Sequence, residues 1–390
     1  MQYFFECGNF FNISLAELSL VFEAFGISKD CIKKFNNTVL IIESTSIKKD
    51  TLDEIFNRLG GFIRYGEIID DLNTFLNPYF EKEKITFGIS ILGESKLRKQ
   101  DIEKLANEIK RGFKGCDIYS RFILPKEFEL NAAQILHNDI LNSGFELCIF
   151  ENEKKRVYGK TLKVQDINSF IKRDIQRPEV DFEMGVLPQK LARIMCNLTG
   201  LQSGIVWDPF CGSGTILMEA AVLGFDVLGS DIDVNALNLA NENMIWLSKE
   251  GIIKGIKYNL FQLDIYNVEK KVITDLRHTG INAVVCEPFM GPPQRKILSV
   301  SKADLLIENA TKLYFSLFSV LNEISQKGFR VVIVLPSYKT NKGWIDMNIS
   351  QFINKKWEVL NKKYSSQDCI GYDTYGTPKL SRSRDEYETT

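Results

Sequence analysis

The sequence predicts an α/β protein: a doubly wound, mostly parallel sheet in the C-terminal half, preceded by an α+β region. Three observations carry this. From residue 205 onward, short apolar strands alternate with amphipathic helices, the pattern of βαβ units. The first of these strands runs through a glycine turn, Gly212-Ser213-Gly214, straight into a helix. Before residue 180 the strands are β-branched and aromatic and follow a less regular order, as in α+β units.

The elements can be justified in order. Residues 3–8 read as a strand. Ser14-x-x-Glu17 then fits a capping box opening a helix with Leu15, Leu18, Phe22 and Phe25 on one face, and Gly26 stops it. A strand over 39–43 and a helix over 52–59, ended by Gly60-Gly61, complete a small N-terminal α+β unit. Residues 85–91 form the next strand. The helix over 101–113 places Ile102, Leu105, Ala106, Ile109 and Phe113 on one stripe. A strand over 120–124, a helix over 132–141 and a strand over 145–150 follow. Arg177-Pro178 suggests a boundary, because proline disfavours helix just before it. Pro188 opens a helix with Leu191, Ile194, Met195 and Leu198 inward. Strands over 205–208, 226–230, 259–263, 281–286, 331–335 and 356–364 alternate with helices over 215–223, 234–247 and 304–323. The last ten residues, 381–390, are polar and read as a loose end.

Composition narrows the function classes. The chain has 390 residues, 44% hydrophobic and 25% charged, the profile of a soluble multi-domain protein. No apolar run is long enough to span a bilayer, and the N-terminus lacks signal-peptide features. Eight scattered cysteines without a CxxC pair read as reduced thiols of a cytoplasmic protein rather than a disulfide or zinc framework. With two histidines, a His-based triad or a metal site is not expected. The net charge is -1, so nucleic acid would have to be held by a local patch. Such a patch exists between Lys96 and Arg177, where basic residues outnumber acidic ones. Lys99, Lys110, Arg111 and Lys114 lie on or beside one helix, and Arg173 and Arg177 follow. This stretch is either a solvated helix face or a surface for RNA phosphates.

The chemistry is expected where ligands of doubly wound sheets sit, at the carboxyl ends of the strands. Asp208 ends the first strand, Asp231 the second, Asp264 follows the third and Glu287 the fourth. A dinucleotide turn would need a third glycine at position 217, where Leu217 stands. A carboxylate at the end of the second strand can accept two ribose hydroxyls. Asp264 is placed to accept from an adenine amino group, and Asp233 to cap the next helix.

Asp208-Pro209-Phe210-Cys211-Gly212-Ser213-Gly214-Thr215 resembles motif I of class I S-adenosylmethionine (SAM) methyltransferases. Two further stretches narrow the resemblance. Tyr158-Gly159-Lys160-Thr161 through Arg177-Pro178 looks like the region joining a THUMP RNA-binding domain to a methyltransferase domain. Gly185-Val186-Leu187-Pro188-Gln189-Lys190-Leu191-Ala192 is similar to a segment of the archaeal/eukaryotic-type tRNA guanosine-N2 methyltransferases. The resemblance implies a Rossmann-like class I methyltransferase domain over 181–390, a linker over 161–180, a THUMP-like domain over 76–160 and a ferredoxin-like domain over 1–75. It also implies SAM as the methyl donor, tRNA as partner, a guanosine (position 10 in the best-known members) as target and, in some relatives, a small zinc-binding activator subunit. Asp208, Pro209, Phe210, Gly212, Gly214, Asp231 and Asp264 would then hold SAM.

The family's catalytic motif is Asp/Asn-Pro-Pro-Tyr/Phe, and here the chain departs from it with Glu287-Pro288-Phe289-Met290. Glu287 and the Pro288 carbonyl would hold the target amine, and Phe289 would stack on the base. Two rivals stand beside this expectation: a catalytically silent SAM-fold protein that binds tRNA, and an N-methyltransferase of DNA or protein amines.

Overall fold

The structure is a computed structural model that describes residues 2–44, 46–180, 187–292, 296–353 and 356–358. Two compact units emerge, residues 1–171 and 172–390. The division falls inside the 161–180 stretch.

The first unit is built on one sheet. In chain order its elements are β1 (Gln2–Cys7), α1 (Phe11–Ala24), β2 (Ile32–Lys34), β3 (Val39–Glu43), α2 (Lys49–Arg58), β4 (Phe62–Ile69), α3 (Leu72–Leu76), β5 (Lys84–Leu92), α4 (Lys99–Gly115), β6 (Tyr119–Ile123), α5 (Ala132–His137), α6 (Ile140–Ser143), β7 (Gly144–Glu151) and β8 (Arg156–Val164). The eight strands hydrogen-bond in the order β2-β3-β1-β4-β8-β7-β5-β6. The segments 1–75 and 76–160, which read from sequence as two domains, therefore share one sheet, because β8 returns to pair antiparallel with both β4 and β7. A buried ionic cluster crosses the same seam. Arg64 on β4 donates to Glu6 on β1, to Glu146 on β7 and to the Leu130 carbonyl. Burial raises the Glu6 carboxyl to about 8, opposed by the Arg64 charge.

Local reasons account for the departures from expectation. Ser14 does not cap α1; the helix starts a turn earlier, at Phe11. Ser14 and Glu17 are buried inside it: the Ser14 hydroxyl donates to the Gly61 carbonyl, and Glu17 accepts from the Gly60 and Gly61 amides. The capping pattern thus serves a distant glycine turn, not the helix that carries it. The helix expected over 132–141 breaks into α5 and α6 at Asp139, which takes a left-handed φ of 50°. The stripe of α4 packs as expected: Ile102, Ala106, Ile109 and Phe113 meet Ile85, Phe87, Ile89 and Ile91 of β5. Each buried Ile or Phe among them contributes roughly 1.5–3 kcal/mol.

α7 (Ile167–Ile175) spans the division between the units, so the stretch expected as a linker is largely structured. The second unit continues with α8 (Gln189–Asn197), β9 (Ile205–Asp208), α9 (Thr215–Val222), β10 (Asp226–Asp231), α10 (Val234–Lys249), β11 (Tyr258–Gln262), α11 (Lys270–Thr279), β12 (Ala283–Cys286), α12 (Val300–Ile324), β13 (Arg330–Ile333), β14 (Ser337–Thr340) and β15 (Gly343–Asp346). Five strands form a parallel sheet in the order β11-β10-β9-β12-β13. The chain winds outward from β9 to β11, then crosses back to β12, so the order reverses between β9 and β12. Helices α8, α9 and α10 pack on one face of this sheet, and α11 and α12 on the other. This is a Rossmann-like, doubly wound architecture. Helix α11 is an addition to the sequence expectation, and β14 and β15 form a separate two-stranded hairpin. The strand expected over 356–364 falls mostly outside the described residues, as do Gly185, Val186 and the tail 381–390.

Candidate cofactor site at the reversal of the parallel sheet

The strand-order reversal leaves a crevice at the carboxyl ends of β9 and β12, the place where such sheets bind ligands. Asp208 closes β9 and Glu287 directly follows β12, so one acid stands on each side. Asp231 closes β10, and Asp264 lies two residues past β11. The four acidic positions singled out in the sequence therefore all fall at one edge of one sheet.

The turn after β9 is held by a defined set of hydrogen bonds. Asp208 is buried and its Oδ1 accepts the Phe210 amide at 3.0 Å. The Cys211 amide donates to the Ser230 carbonyl, and the Gly214 amide to the Cys211 carbonyl. The Gly212 amide donates to Asp231 Oδ2 at 2.9 Å, and the other oxygen of Asp231 accepts the Asp233 amide at 3.0 Å. Both glycines have positive φ, 49° at Gly212 and 87° at Gly214. A Cβ on Gly214 would also come within 3.1 Å of the Ala240 Cβ, so the turn packs on α10 as only glycine allows. Nothing lies within 4 Å of a Cβ built at Gly212, which leaves open space above the turn. Pro209 is buried and Phe210 half-buried.

Carboxyl groups crowd this edge. Burial pushes the Asp208 carboxyl well above the usual carboxylate range, and the Asp231 and Glu287 charges push it further, against the Phe210 amide. The Cys286 and Cys211 thiols are raised for the same reasons, burial first and then the Asp208 charge. A cation placed among these carboxyl groups would favour their charged forms. Asp264 uses Oδ1 to accept the Tyr266 amide and Oδ2 to accept Asn267 Nδ2, which fixes its side chain in the loop after β11.

The stretch after β12 is more open. Glu287 is half-buried, Pro288 is buried, and Phe289 is 68% exposed. Phe289 and Tyr266 line a cavity of about 240 Å³ with Pro292, Leu306, Asn309 and Leu313. The Tyr338 hydroxyl from β14 donates to the Met290 carbonyl, which ties the loop to the hairpin.

The basic residues expected to touch RNA divide into two sets. Lys99, Lys110, Arg111 and Lys114 are exposed on α4. Contrary to the expectation from sequence, Arg173 and Arg177 are 3% and 4% exposed and are not available to a phosphate backbone. Arg173 forms an ion pair with Glu219 of α9, whose other oxygen accepts Arg193 of α8. Arg177 Nη1 donates to the Thr215 hydroxyl at 2.8 Å. The reason is that Arg173, Arg177 and Glu179 bond to α9 and α10 of the same unit. Asn243 of α10 is a member of the site that sequence reasoning misses. Its Nδ2 donates to the Glu179 and Ser213 carbonyls, and its Oδ1 accepts the Glu179 amide. Glu219 escapes as well, although a lone acid in the apolar helix Thr215-Ile216-Leu217-Met218-Glu219-Ala220-Ala221 is a readable signal of a buried partner.

Comparison with known proteins agrees with this geometry. Residues 177–277 match the family UPF0020, described as RMKL-like, methyltransferase domain. Three curated relatives are similar to the chain. The tRNA (guanine(10)-N2)-dimethyltransferase of Methanothermobacter thermautotrophicus is 30% identical over 171 residues, 43% of this chain and 44% of that protein. The enzyme of the same name from Methanocaldococcus jannaschii is 37% identical over 112 residues, 28% of this chain and 30% of that protein. The mouse tRNA (guanine(10)-N(2))-methyltransferase TRMT11 is 26% identical over 172 residues, 38% of this chain and 37% of that protein. The matched stretches span less than half the length of each of these relatives. The 177–277 segment that matches the RMKL-like methyltransferase-domain model holds the glycine turn and the acids at the ends of β9 and β10.

Proposed function

We propose that the chain transfers a methyl group from SAM to the exocyclic N2 of a guanosine in tRNA, with position 10 as the target. The observation that carries this reading is the acidic crevice itself, an anchored glycine turn flanked by Asp208 and Asp231. Its chemistry suits a donor with a cationic sulfonium and ammonium and a ribose, and would repel a pyrophosphate. SAM would supply the electrophilic methyl group. Asp208 would face the methionine end and Asp231 would accept the ribose hydroxyls. Asp264 would lie near the adenine, and Pro209, Phe210, Gly212 and Gly214 would shape the floor.

The target amine has its lone pair drawn into the ring. Glu287 and the Pro288 carbonyl would accept its two hydrogens and fix its direction, which raises nucleophilicity without a strong base. Phe289 is exposed beside a cavity, so its ring would stack on a base taken out of the RNA. Lys99, Lys110, Arg111 and Lys114 would contact tRNA phosphates, in an N-terminal unit that the resemblance reads as ferredoxin-like plus THUMP. A cytoplasmic location goes with a tRNA substrate; no helix among the described residues is long and apolar enough to cross a membrane. A zinc-binding activator subunit rests on the resemblance alone.

The test is methyl transfer by the purified chain, without added subunits, from SAM to unmodified tRNA, to duplex DNA and to a protein mixture. Transfer to tRNA supports the reading. Transfer to DNA or protein replaces the substrate, and binding of SAM and tRNA without transfer replaces the enzyme with a tRNA-binding protein.

A further inference from the structure

Arg177 is 4% exposed, yet its Nε and Nη2 have no hydrogen-bond partner among the described residues. Its third nitrogen, Nη1, donates to the hydroxyl of Thr215, the first residue of α9. Gly214 stands at the N-cap of that helix, and no side-chain hydrogen bond caps it among the described residues. Two features that each call for an anion, a buried guanidinium with spare donors and an uncapped helix N-terminus, therefore meet at one point. The position is built. Asn243 bonds the backbone of Glu179, two residues after Arg177, and also the Ser213 carbonyl in the glycine turn. Burial draws the Arg177 pKa below the ordinary arginine value, against the charges of Asp174 and Glu219, and neither carboxylate takes a hydrogen bond from Nε or Nη2.

We infer that Arg177 and the N-terminus of α9 bind the α-carboxylate of the methionyl end of SAM. The inference rests on the proposed SAM site and adds the residue that reads the ligand's one anionic group. It gives the two ends of that moiety opposite partners, acids for the ammonium and sulfonium, Arg177 for the carboxylate. It also explains why Arg177 cannot serve as an RNA contact.

The test compares S-adenosylhomocysteine with its decarboxylated analogue by isothermal titration calorimetry. Wild-type protein should bind the carboxylate-bearing ligand about 100-fold more tightly, the scale of charge-assisted hydrogen bonds. Arg177→Met should lose that preference by weakening only the carboxylate-bearing ligand, and Arg177→Lys should restore part of it. Equal weakening of both ligands by Arg177→Met would mean a purely structural arginine and overturn the inference. If Arg177→Met fails to fold, the wild-type ratio decides: a ratio near one also overturns it. Wild-type protein that binds neither ligand would instead remove the SAM reading itself.

Discussion

Asp231 Oδ2 accepts the Gly212 amide at 2.9 Å, so the carboxylate that ends β10 holds the turn that follows β9. One side chain thereby couples the shape of the glycine turn to the position of the proposed ribose acceptor. Asp231→Ala removes both at once. SAM affinity should fall by about 100-fold, on the order of 3 kcal/mol for hydrogen bonds to a charged group. Calorimetric titration with SAM checks it; unchanged affinity would remove Asp231 from the site.

Glu219 is fully buried between Arg173 and Arg193. Glu219→Ala leaves two guanidinium groups in the interior without that carboxylate. The expected cost is about 3–5 kcal/mol of folding stability, read from urea denaturation. A loss below about 1 kcal/mol would mean that the cluster relaxes into water.

Asp208 gives a pH signature. Its folded pKa lies above the ordinary carboxyl value of 3.8, chiefly through burial. Over the interval between the two values the native state binds more protons than the unfolded chain, so this group's contribution to stability falls as pH rises. Asp208→Asn removes the effect and keeps an acceptor for the Phe210 amide. The ligand-free variant should gain stability relative to wild type as pH is raised from about 4 towards neutrality, with a slope of up to about 1.4 kcal/mol per pH unit. A constant difference across that range in urea melts would contradict the assignment.

Glu287→Ala tests the catalytic motif apart from the cofactor site. Methyl transfer at saturating SAM should drop by about 100- to 1000-fold, the scale of a missing transition-state hydrogen-bond partner. SAM affinity should stay within a few-fold of wild type. Full activity in this variant would place the amine elsewhere.

Replacing Lys99, Lys110, Arg111 and Lys114 with alanine should weaken tRNA binding and flatten its salt dependence. The slope of log K against log salt should shrink by about 0.7–0.9 for each phosphate no longer neutralised. An unchanged slope would return the α4 face to a solvated surface.

Much of the site is legible in the sequence because its logic is local. Asp208, Asp231, Asp264 and Glu287 each end or follow an apolar strand, and alternation of strand and helix puts such positions on one sheet edge. What escapes depends on long-range pairing. Arg173 and Arg177 read as basic linker residues, since nothing nearby in sequence shows that Glu219 and Thr215 lie against them. Ser14 and Glu17 match a cap pattern by spacing, but Gly60 and Gly61 take their hydrogen bonds. The single sheet through the first unit is hidden because β8 pairs with β4 from about 90 residues away, beyond any periodicity in the chain.

The most direct measurement is the identity of the methylated nucleoside. The purified chain is incubated with methyl-labelled SAM and unmodified tRNA, and the RNA is digested and separated. The account predicts label in N2-methylated guanosine, abolished in Glu287→Ala and retained at low salt when the α4 lysines and arginine are replaced. Label in any other nucleoside, or none while both SAM and tRNA bind, would contradict it.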